Sequence, residues 1–335
     1  MAATATYYID TDNAAGGRDG SVGNPWNTRA EAMTAIGIKD MVTDTDQYDI
    51  YCSGATVDTS TLDLTNVTSN STYFIRFIGD AVSPKWQSGV YTTQLTATGN
   101  NQYDWHTTAG YWEFFNLQID IINSGGYTNT TGMRIDTDGI AVNCLTKGTI
   151  SGASSTAVGF RNSLGASESF EWHNCIAIDF VNGTESCGGF NGAGDDESIL
   201  VYNCGFYNCY TAITTGYRDT VLRNSWVQGA TTIVSGQLSQ ITVISDYNLS
   251  DGTSSWPGSN NVDNSTLTFV NAASDDYHLA SGDTDAIGAG IGPSSDANVY
   301  TTDGDGDIRT GLTTDIGPDL YVAGFKPYFA LGANQ

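Results

Sequence analysis

The sequence predicts an all-β fold in which short repeats stack on one another. The first observation is a recurring phrase of an apolar residue, any residue, Asn and Cys, which fades along the chain. Its three clear copies and two degenerate ones span 141–144, 172–175, 201–204, 222–225 and 244–247. The phrase thus returns with a period that is typical of stacked-repeat proteins, and the period shortens towards the C-terminus.

A second phrase, in which an apolar residue follows a small one, precedes every copy of the first. Its copies span 132–134, 159–161, 189–191, 212–214 and 232–234. The distance from its apolar residue to the following Asn or Asp varies little from one copy to the next. Each repeat therefore contains at least two short strands with turns between them. The composition agrees, because 39 Gly, 6 Pro and only 15% charged residues indicate many short strands and tight turns.

The N-terminal region predicts a strand and then one helix. Residues 7–10 are predicted to form the first strand, and a helix is predicted over 28–41. Thr28 with Glu31 three residues later has the spacing of a capping box. A short amphipathic helix at this place would cover the open end of the stack. The predicted division is 1–47 for the N-terminal strand and capping helix, 48–250 for the coil, and 251–335 for a C-terminal closing region.

The recurring Cys indicates a core position. Cys144, Cys175 and Cys204 occupy equivalent places, so in stacked repeats they would lie about 4.8 Å apart as a column of buried thiols. There is no Cys-x-x-Cys motif and no His at metal-ligand spacing, which disfavours zinc. We expect free thiols.

The charge balance excludes two classes of partner. Twelve basic residues stand against 37 acidic ones, a net charge of −25. Binding to a phosphate backbone needs Lys and Arg, so we expect no nucleic acid and no anionic membrane as a partner. No run of about 18 apolar residues is present that could span a membrane.

Three stretches resemble the right-handed parallel β-helix proteins of the pectate-lyase-like type. They are the start Tyr-Tyr-Ile-Asp at 7–10, the rung at 73–80, and a closing block from 269 to 317 that contains Asp-Gly-Asp-Gly-Asp-Ile-Arg. The resemblance implies a single-stranded right-handed parallel β-helix with a short N-terminal capping helix and a C-terminal β and loop closing region. It is weak for function, because this fold carries enzymes, adhesins and viral structural proteins.

The resemblance also implies a role for the recurring Asn. In such proteins the Asn of each rung stands in a tight turn, and its amide bonds to the rungs above and below. The matching residues are Asn143, Asn174, Asn203 and Asn224. Asn tolerates the left-handed backbone conformation that the turn needs.

The candidate catalytic residues are few, and we expect no catalytic site. Arg161 and Arg134 occupy equivalent outward positions, where the resemblance would place a basic catalyst. Asp195 and Asp196 belong to an acidic turn that superficially fits the paired carboxylates of a glycoside hydrolase. Stacked Arg beside acidic residues is more often an ion-pair ladder. His173 falls at an outward position and is expected to be exposed.

A metal site is not expected either, although one motif has partial calcium-loop character. Asp303, Asp305 and Asp307 have the alternating spacing of calcium ligands. Ile308 stands where that loop needs its Gly, and Thr314 replaces the bidentate Glu. We therefore expect no cofactor, with a structural calcium at these three Asp residues as the alternative.

The leading functional hypothesis is a non-enzymatic structural protein on the surface of a bacteriophage virion. The sequence start has no basic or apolar region of a secretory signal, and a rigid coil suits a capsid decoration (cement) protein or a short spike. The expected partners are further copies in a homotrimer, joined by the apolar tail from Tyr321 to Leu331, and a viral capsid or tail protein. The expected location is the virion surface or another extracellular setting.

The alternative is a carbohydrate-active β-helix: a tailspike-like polysaccharide lyase or glycoside hydrolase, or a glycan-binding adhesin. Four aromatic residues in the irregular region would be exposed and would stack on sugar rings: Trp86, Trp105, Tyr111 and Trp112.

Overall fold

Three long sheets with parallel strands form the body of the protein. The structure is a computed structural model. It describes residues 3–13, 16–37, 39–65, 67–81, 84–163, 168–182, 187–192, 198–216, 220–236, 244–252, 256 and 258–321. From Ile75 onwards, the chain contributes one strand to each sheet in turn and then returns to the first. This is a parallel β-helix, so the predicted fold class is confirmed.

The strands belong to the sheets as follows. Sheet I contains Ala3–Asp10, Asp46–Ser53, Ile75–Ile78, Tyr111–Phe115, Asp138–Val142, Ser169–His173, Ser198–Tyr202, Thr220–Arg223 and Ile244–Asp246. Sheet II contains Thr92–Thr96, Gln118–Asn123, Leu145–Ile150, Ile176–Ile178, Gly205–Tyr207, Trp226–Gln228 and Leu249–Ser250. Sheet III contains Leu62–Leu64, Tyr103–Thr107, Thr130–Ile135, Ala157–Asn162, Gly188–Gly192, Thr211–Thr215 and Thr232–Gly236. Smaller pairs join Lys39–Asp40 to Val67–Thr68, Phe269–Asn271 to Asp276–Leu279, and Gly290–Ile291 to Thr313–Thr314.

In-register pairing builds the core from rows of equivalent residues. In sheet III one inward row is Trp105, Met133, Phe160, Phe190 and Ile213, each paired with the next. All five are at most 2% exposed. Burying one such side chain stabilises the fold by about 1.5–3 kcal/mol. The apolar residue of the second phrase is thus a repeated core position.

The turn between sheets I and II is built on the recurring Asn. Asn116, Asn143, Asn174, Asn203 and Asn224 all have φ between 51° and 56°. Asn adopts this left-handed region more readily than most residues, which explains its return at this position. The Cys that follows in three rungs points into the core. All six cysteines are buried and none forms a disulfide, and burial raises the pKa of the Cys144 and Cys175 thiols well above the ordinary value.

Side-chain amide bonds join only part of this column. Asn143 Nδ2 donates to Asn116 Oδ1 at 3.0 Å, and Asn174 Nδ2 donates to Asn143 Oδ1 at 3.1 Å. Neither amide atom of the buried Asn203 has a hydrogen-bond partner among the described residues. Asn224 instead bonds the backbone of Ile291, donating at 2.8 Å and accepting at 2.9 Å. The predicted ladder therefore stops before Asn203 and Asn224, and at Asn224 a C-terminal strand takes the place of the next rung.

The N-terminal helix is shorter than predicted. It spans Arg29–Ile36, with the Thr28 side chain accepting from Glu31 N at 3.2 Å. Gly37 ends it with φ +68°, which costs Gly little. A second short helix, Met41–Asp44, follows, and a one-turn 3₁₀ helix spans Ala272–Ser274. No helix among the described residues has both the length and the apolar character to cross a membrane.

A buried charge fixes this helix to the first rungs. Arg29 has a fully buried side chain and pairs with Asp104 at 2.6 Å and Asp58 at 3.7 Å. Its guanidinium also lies 4.5 Å from the ring centre of Trp105. Because burial of an unpaired charge is costly, this pairing requires the helix to sit in one position. Nothing in the helix sequence predicted it.

The C-terminal segment runs back along the coil. Asp275 pairs with Lys147 of sheet II, and Asp296 pairs with Arg223 of sheet I. Leu267 N donates to the side chain of Gln228 in sheet II at 2.9 Å. The segment thus contacts the outer sides of sheets I and II. The predicted boundaries at 47 and 250 stay predictions.

The same segment buries an outward histidine. The Tyr300 ring lies 5.2 Å from the ring of His173, and Thr302 O accepts from Asn174 Nδ2 at 2.9 Å. His173 is only 2% exposed. The expectation that His173 is exposed was wrong, because a segment much later in the chain covers it.

We predict that replacement by glycine destabilises the protein more at the hydrogen-bonded Asn174 than at Asn203. Asn174→Gly keeps the left-handed turn but removes the bonds to Asn143 and Thr302, so it should lower the free energy of unfolding by about 1–3 kcal/mol. Asn203→Gly, at an equally buried turn with φ 54°, should cost under about 1 kcal/mol. Urea unfolding measures both. Equal costs would contradict the broken ladder.

Candidate functional site

The outer face of sheet III carries one polar row along the coil. Successive strands pair these residues directly: Asp63, His106, Arg134, Arg161, Asn191, Thr214 and Ser235. Each is at least partly exposed. From His106 to Thr214, each residue of this row directly follows a buried core residue of the same strand. Adjacent residues of a strand face opposite sides of the sheet, so the row faces outward. Register therefore places Arg134 and Arg161 next to each other.

A groove of about 660 Å³ follows the second half of this row. We call it the sheet III groove; it is lined by Thr128, Asn129, Thr156, Val158, Arg161, Asn191, Thr211, Thr214, Thr232 and Ser235. Hydroxyl and amide side chains predominate, and Arg161 is the charged member of the lining. Thr214 and Ser235 are 3.1 Å apart, oxygen to oxygen.

Beside the groove, Arg134 and His106 form a compact cluster with acidic side chains. Arg134 contacts Asp136 at 2.8 Å and donates to the Tyr103 hydroxyl at 2.6 Å. His106 bridges Asp63 at 2.9 Å and Asp136 at 3.2 Å. Burial acts to raise the pKa of Asp136, but the hydrogen bonds from His106 and Arg134 hold that pKa below its ordinary value. Arg134 and His106 therefore each have a carboxylate partner.

Arg161 differs from these two side chains. It donates to Asn129 Oδ1, while its buried Nε has no hydrogen-bond partner among the described residues. No described carboxylate lies within ion-pair distance of it. Burial, and then the positive charge of Arg134, lowers its pKa, yet a guanidinium stays protonated in proteins. Among the described residues, Arg161 is thus a cation without an ion-pair partner, in a strongly acidic protein.

This arrangement suits a ligand that carries a carboxylate and many hydroxyl groups. A guanidinium presents a fork of donors that matches a carboxylate. Thr, Ser and Asn side chains both donate and accept, which hydroxyl groups require. Since neighbouring strands lie about 4.8 Å apart, Asn191, Thr214 and Ser235 repeat such groups at regular spacing along the groove.

The other predicted site residues have different outcomes. Asp195 and Asp196 lie outside the described residues. Asp303, Asp305 and Asp307 come together in the C-terminal segment, with one oxygen from each within 4.8 Å of the others. Burial and the neighbouring carboxylate of Asp305 raise the pKa of Asp303 to about 8.

Two of the four predicted sugar-stacking aromatics are core residues. Trp105 and Trp112 are both 0% exposed, so their predicted exposure was wrong. Each aligns with a buried residue of a neighbouring strand, Met133 for Trp105 and Ile75 for Trp112. Trp86 and Tyr111 are partly exposed.

Some site residues were not singled out from the sequence. Asn129 and Tyr103 contact the two arginines, and His106 continues their row. The step along the chain from His106 to Arg134 is nearly the same as the step from Arg134 to Arg161. Counting the repeat backwards would have found it.

Comparisons with known proteins reach no further than distant structural likeness. No protein-family profile and no curated protein matches the chain. Among solved structures, a rhamnogalacturonan lyase aligns at 13% identity over 83% of this chain and 96% of that chain, with a TM-score of 0.29. A likeness at this level says nothing about the activity of this chain.

We predict that the two stacked arginines differ in their effect on stability. Arg134→Gln removes the bonds to Asp136 and Tyr103, so it should lower the free energy of unfolding by about 1–2 kcal/mol. Arg161→Gln should change it by less than about 0.5 kcal/mol, because the lost bond to Asn129 is offset by relief of the repulsion from Arg134. Urea unfolding at low salt tests both. An Arg161→Gln cost equal to that of Arg134→Gln would show that Arg161 has a structural role.

Proposed function

We propose that this protein binds an acidic saccharide in the sheet III groove. The observation that carries the proposal is Arg161, a cation without a described carboxylate partner in a groove lined by hydroxyl and amide groups. The function is the glycan-binding form of the carbohydrate-active alternative.

Charge supports an anionic ligand at this place in particular. With a net charge of −25 the protein repels anions over most of its surface. Arg134 and Arg161 are adjacent, and only Arg134 is paired with a described carboxylate. A ligand carboxylate would give Arg161 the partner that the described residues do not provide.

Binding without turnover fits the groove better than catalysis. Removing a proton from a sugar needs a base, and a protonated guanidinium is not one. Hydrolysis needs two carboxyl groups on opposite sides of the scissile bond, and no described residue of the groove lining is acidic. We therefore propose a binding protein rather than a lyase or hydrolase.

We predict that an oligogalacturonate binds and that its carboxyl-reduced counterpart binds at least tenfold more weakly. Calorimetric titration at low salt measures both. Arg161→Gln should weaken oligogalacturonate binding at least tenfold, since a charge-assisted contact is lost. Arg18→Gln, an arginine paired with Glu31 in the N-terminal region, is the matched control and should bind as the parent does.

Two outcomes would overturn this proposal. One is equal binding of the acidic and reduced saccharides, or of the parent and Arg161→Gln. The other is ultraviolet absorbance from unsaturated products or the release of new reducing ends, because either would show turnover.

A second candidate is the structural role on a bacteriophage virion, as a capsid decoration protein or short spike. The observation that favours it is the continuous stack of nine parallel strands in sheet I, since a long in-register coil makes a rigid body. The partners in this case are a viral capsid or tail protein and two further copies of the chain. The trimer contact proposed for Tyr321 to Leu331 lies almost wholly outside the described residues.

For this second candidate we predict a homotrimer in solution. Light scattering at micromolar concentration should give three times the chain mass, and truncation after Tyr321 should give the monomer mass. A monomer for the full chain would contradict the trimer. Trimeric mass retained after truncation would contradict the tail contact.

A further inference from the structure

The C-terminal segment contains a turn in which three carboxylates converge. One oxygen each from Asp303, Asp305 and Asp307 lies within 4.8 Å of the others. Asp303 is fully buried and organises the turn, because its Oδ1 accepts from the backbone N–H of Asp305 at 3.2 Å and of Asp307 at 2.7 Å. Its Oδ2 accepts from Leu320 N at 2.9 Å. The backbone thus holds the carboxylates together despite their repulsion.

An unsatisfied buried oxygen points to a missing ligand at this turn. The Asp305 side chain is only 5% exposed, and its Oδ1 has no hydrogen-bond partner among the described residues. Its Oδ2 lies 3.5 Å from His278 Nε2. A carboxylate oxygen removed from water without a donor or a cation is costly. A bound cation beside Asp305 would remove this cost.

The surrounding charges do not compensate the cluster. Asp319 adds a fourth carboxyl group, since one of its oxygens lies within 4.8 Å of an oxygen of Asp305 and of a ring nitrogen of His278. The buried Arg309 donates its described hydrogen bonds to neutral oxygens, namely the hydroxyl of Thr314 and the backbone carbonyls of Asp315 and Gly317. His278 holds Asp276 through Nδ1. Asp303, Asp305, Asp307, Asp319 and Asp276 thus lie near two basic side chains, His278 and Arg309, so acidic groups outnumber basic ones around the turn.

We propose that Asp303, Asp305 and Asp307 bind a divalent cation with the chemistry of calcium. Three carboxylate oxygens are hard ligands of the kind that calcium prefers. The site is independent of the saccharide groove. It would stabilise the segment that covers sheet I, because Thr302, next to Asp303, accepts from Asn174 of the coil.

A second set of possible ligands lies nearby and would prefer different metal ions. His278, Asp305 and Asp319 also bring one ligand atom each within 4.8 Å. A site that includes imidazole suits zinc or manganese better than it suits calcium. Preference for these ions over calcium would overturn the assignment to Asp303, Asp305 and Asp307.

The test is thermal unfolding and calcium binding of the full chain after treatment with a chelator. Calcium should raise the melting temperature, and the rise should grow with the logarithm of calcium concentration above the dissociation constant. Equilibrium dialysis should find one strongly bound calcium per chain. Asp305→Asn should lower the calcium affinity at least tenfold, whereas Asp44→Asn, at an exposed acid of the N-terminal region, should leave it unchanged.

Circular dichroism in the absence of calcium shows whether the Asp305→Asn variant is folded. Asp305→Asn should retain the parent spectrum in chelator, because the hydrogen bonds that shape the turn come from Asp303. Should Asp305→Asn fail to fold, Asp307→Asn provides the same test from a more exposed ligand. No binding and no change in melting temperature in the parent would overturn the proposal, as would unchanged affinity in the folded variant.

Discussion

In-register parallel pairing is the constraint on which the rest of this structure depends. Each residue of a rung lies directly against its equivalent in the next, at about 4.8 Å. A position that faces the core in one rung must therefore face it in all, which produces the row from Trp105 to Ile213. The next position faces outward in all, which produces the polar row of sheet III. The core and the candidate site are thus two consequences of the same pairing.

The C-terminal segment makes the three outer faces unequal. Its ion pairs, hydrogen bonds and ring contacts reach sheets I and II, through partners such as Arg223, His173 and Lys147. The sheet III groove lies on the remaining face. The same segment ends the Asn column by bonding Asn224, and it buries His173. A coil built from similar rungs therefore has one outer face, that of sheet III, which the described contacts of this segment do not reach.

The repeat allowed much of the fold to be predicted from sequence. Two phrases in joint register indicate stacked strands, and Asn before Cys indicates a left-handed turn followed by a core position. Arg134 and Arg161 could be aligned for the same reason. These predictions depend only on neighbouring rungs, which the period identifies.

What the sequence did not predict depends on contacts between distant residues or on strand parity. The buried pair of Arg29 with Asp104 joins the N-terminal helix to a strand far along the chain, and the cover over His173 comes from the C-terminal segment. Trp105 was predicted to be exposed in an irregular region, whereas pairing with Met133 makes it a core residue. Asn203 occupies the ladder position of its repeat, but its side-chain amide has no hydrogen-bond partner among the described residues. No period in the chain encodes these features.

The central claim is that the outer face of sheet III binds an acidic saccharide. Hydrogen–deuterium exchange of the full chain with and without saturating oligogalacturonate tests it most directly, because it locates the ligand without any substitution. The account predicts slower exchange in and around the strands Ala157–Asn162 and Gly188–Gly192, which carry Arg161 and Asn191. Unchanged exchange, or slowing confined to sheets I and II or to the C-terminal segment, would contradict it.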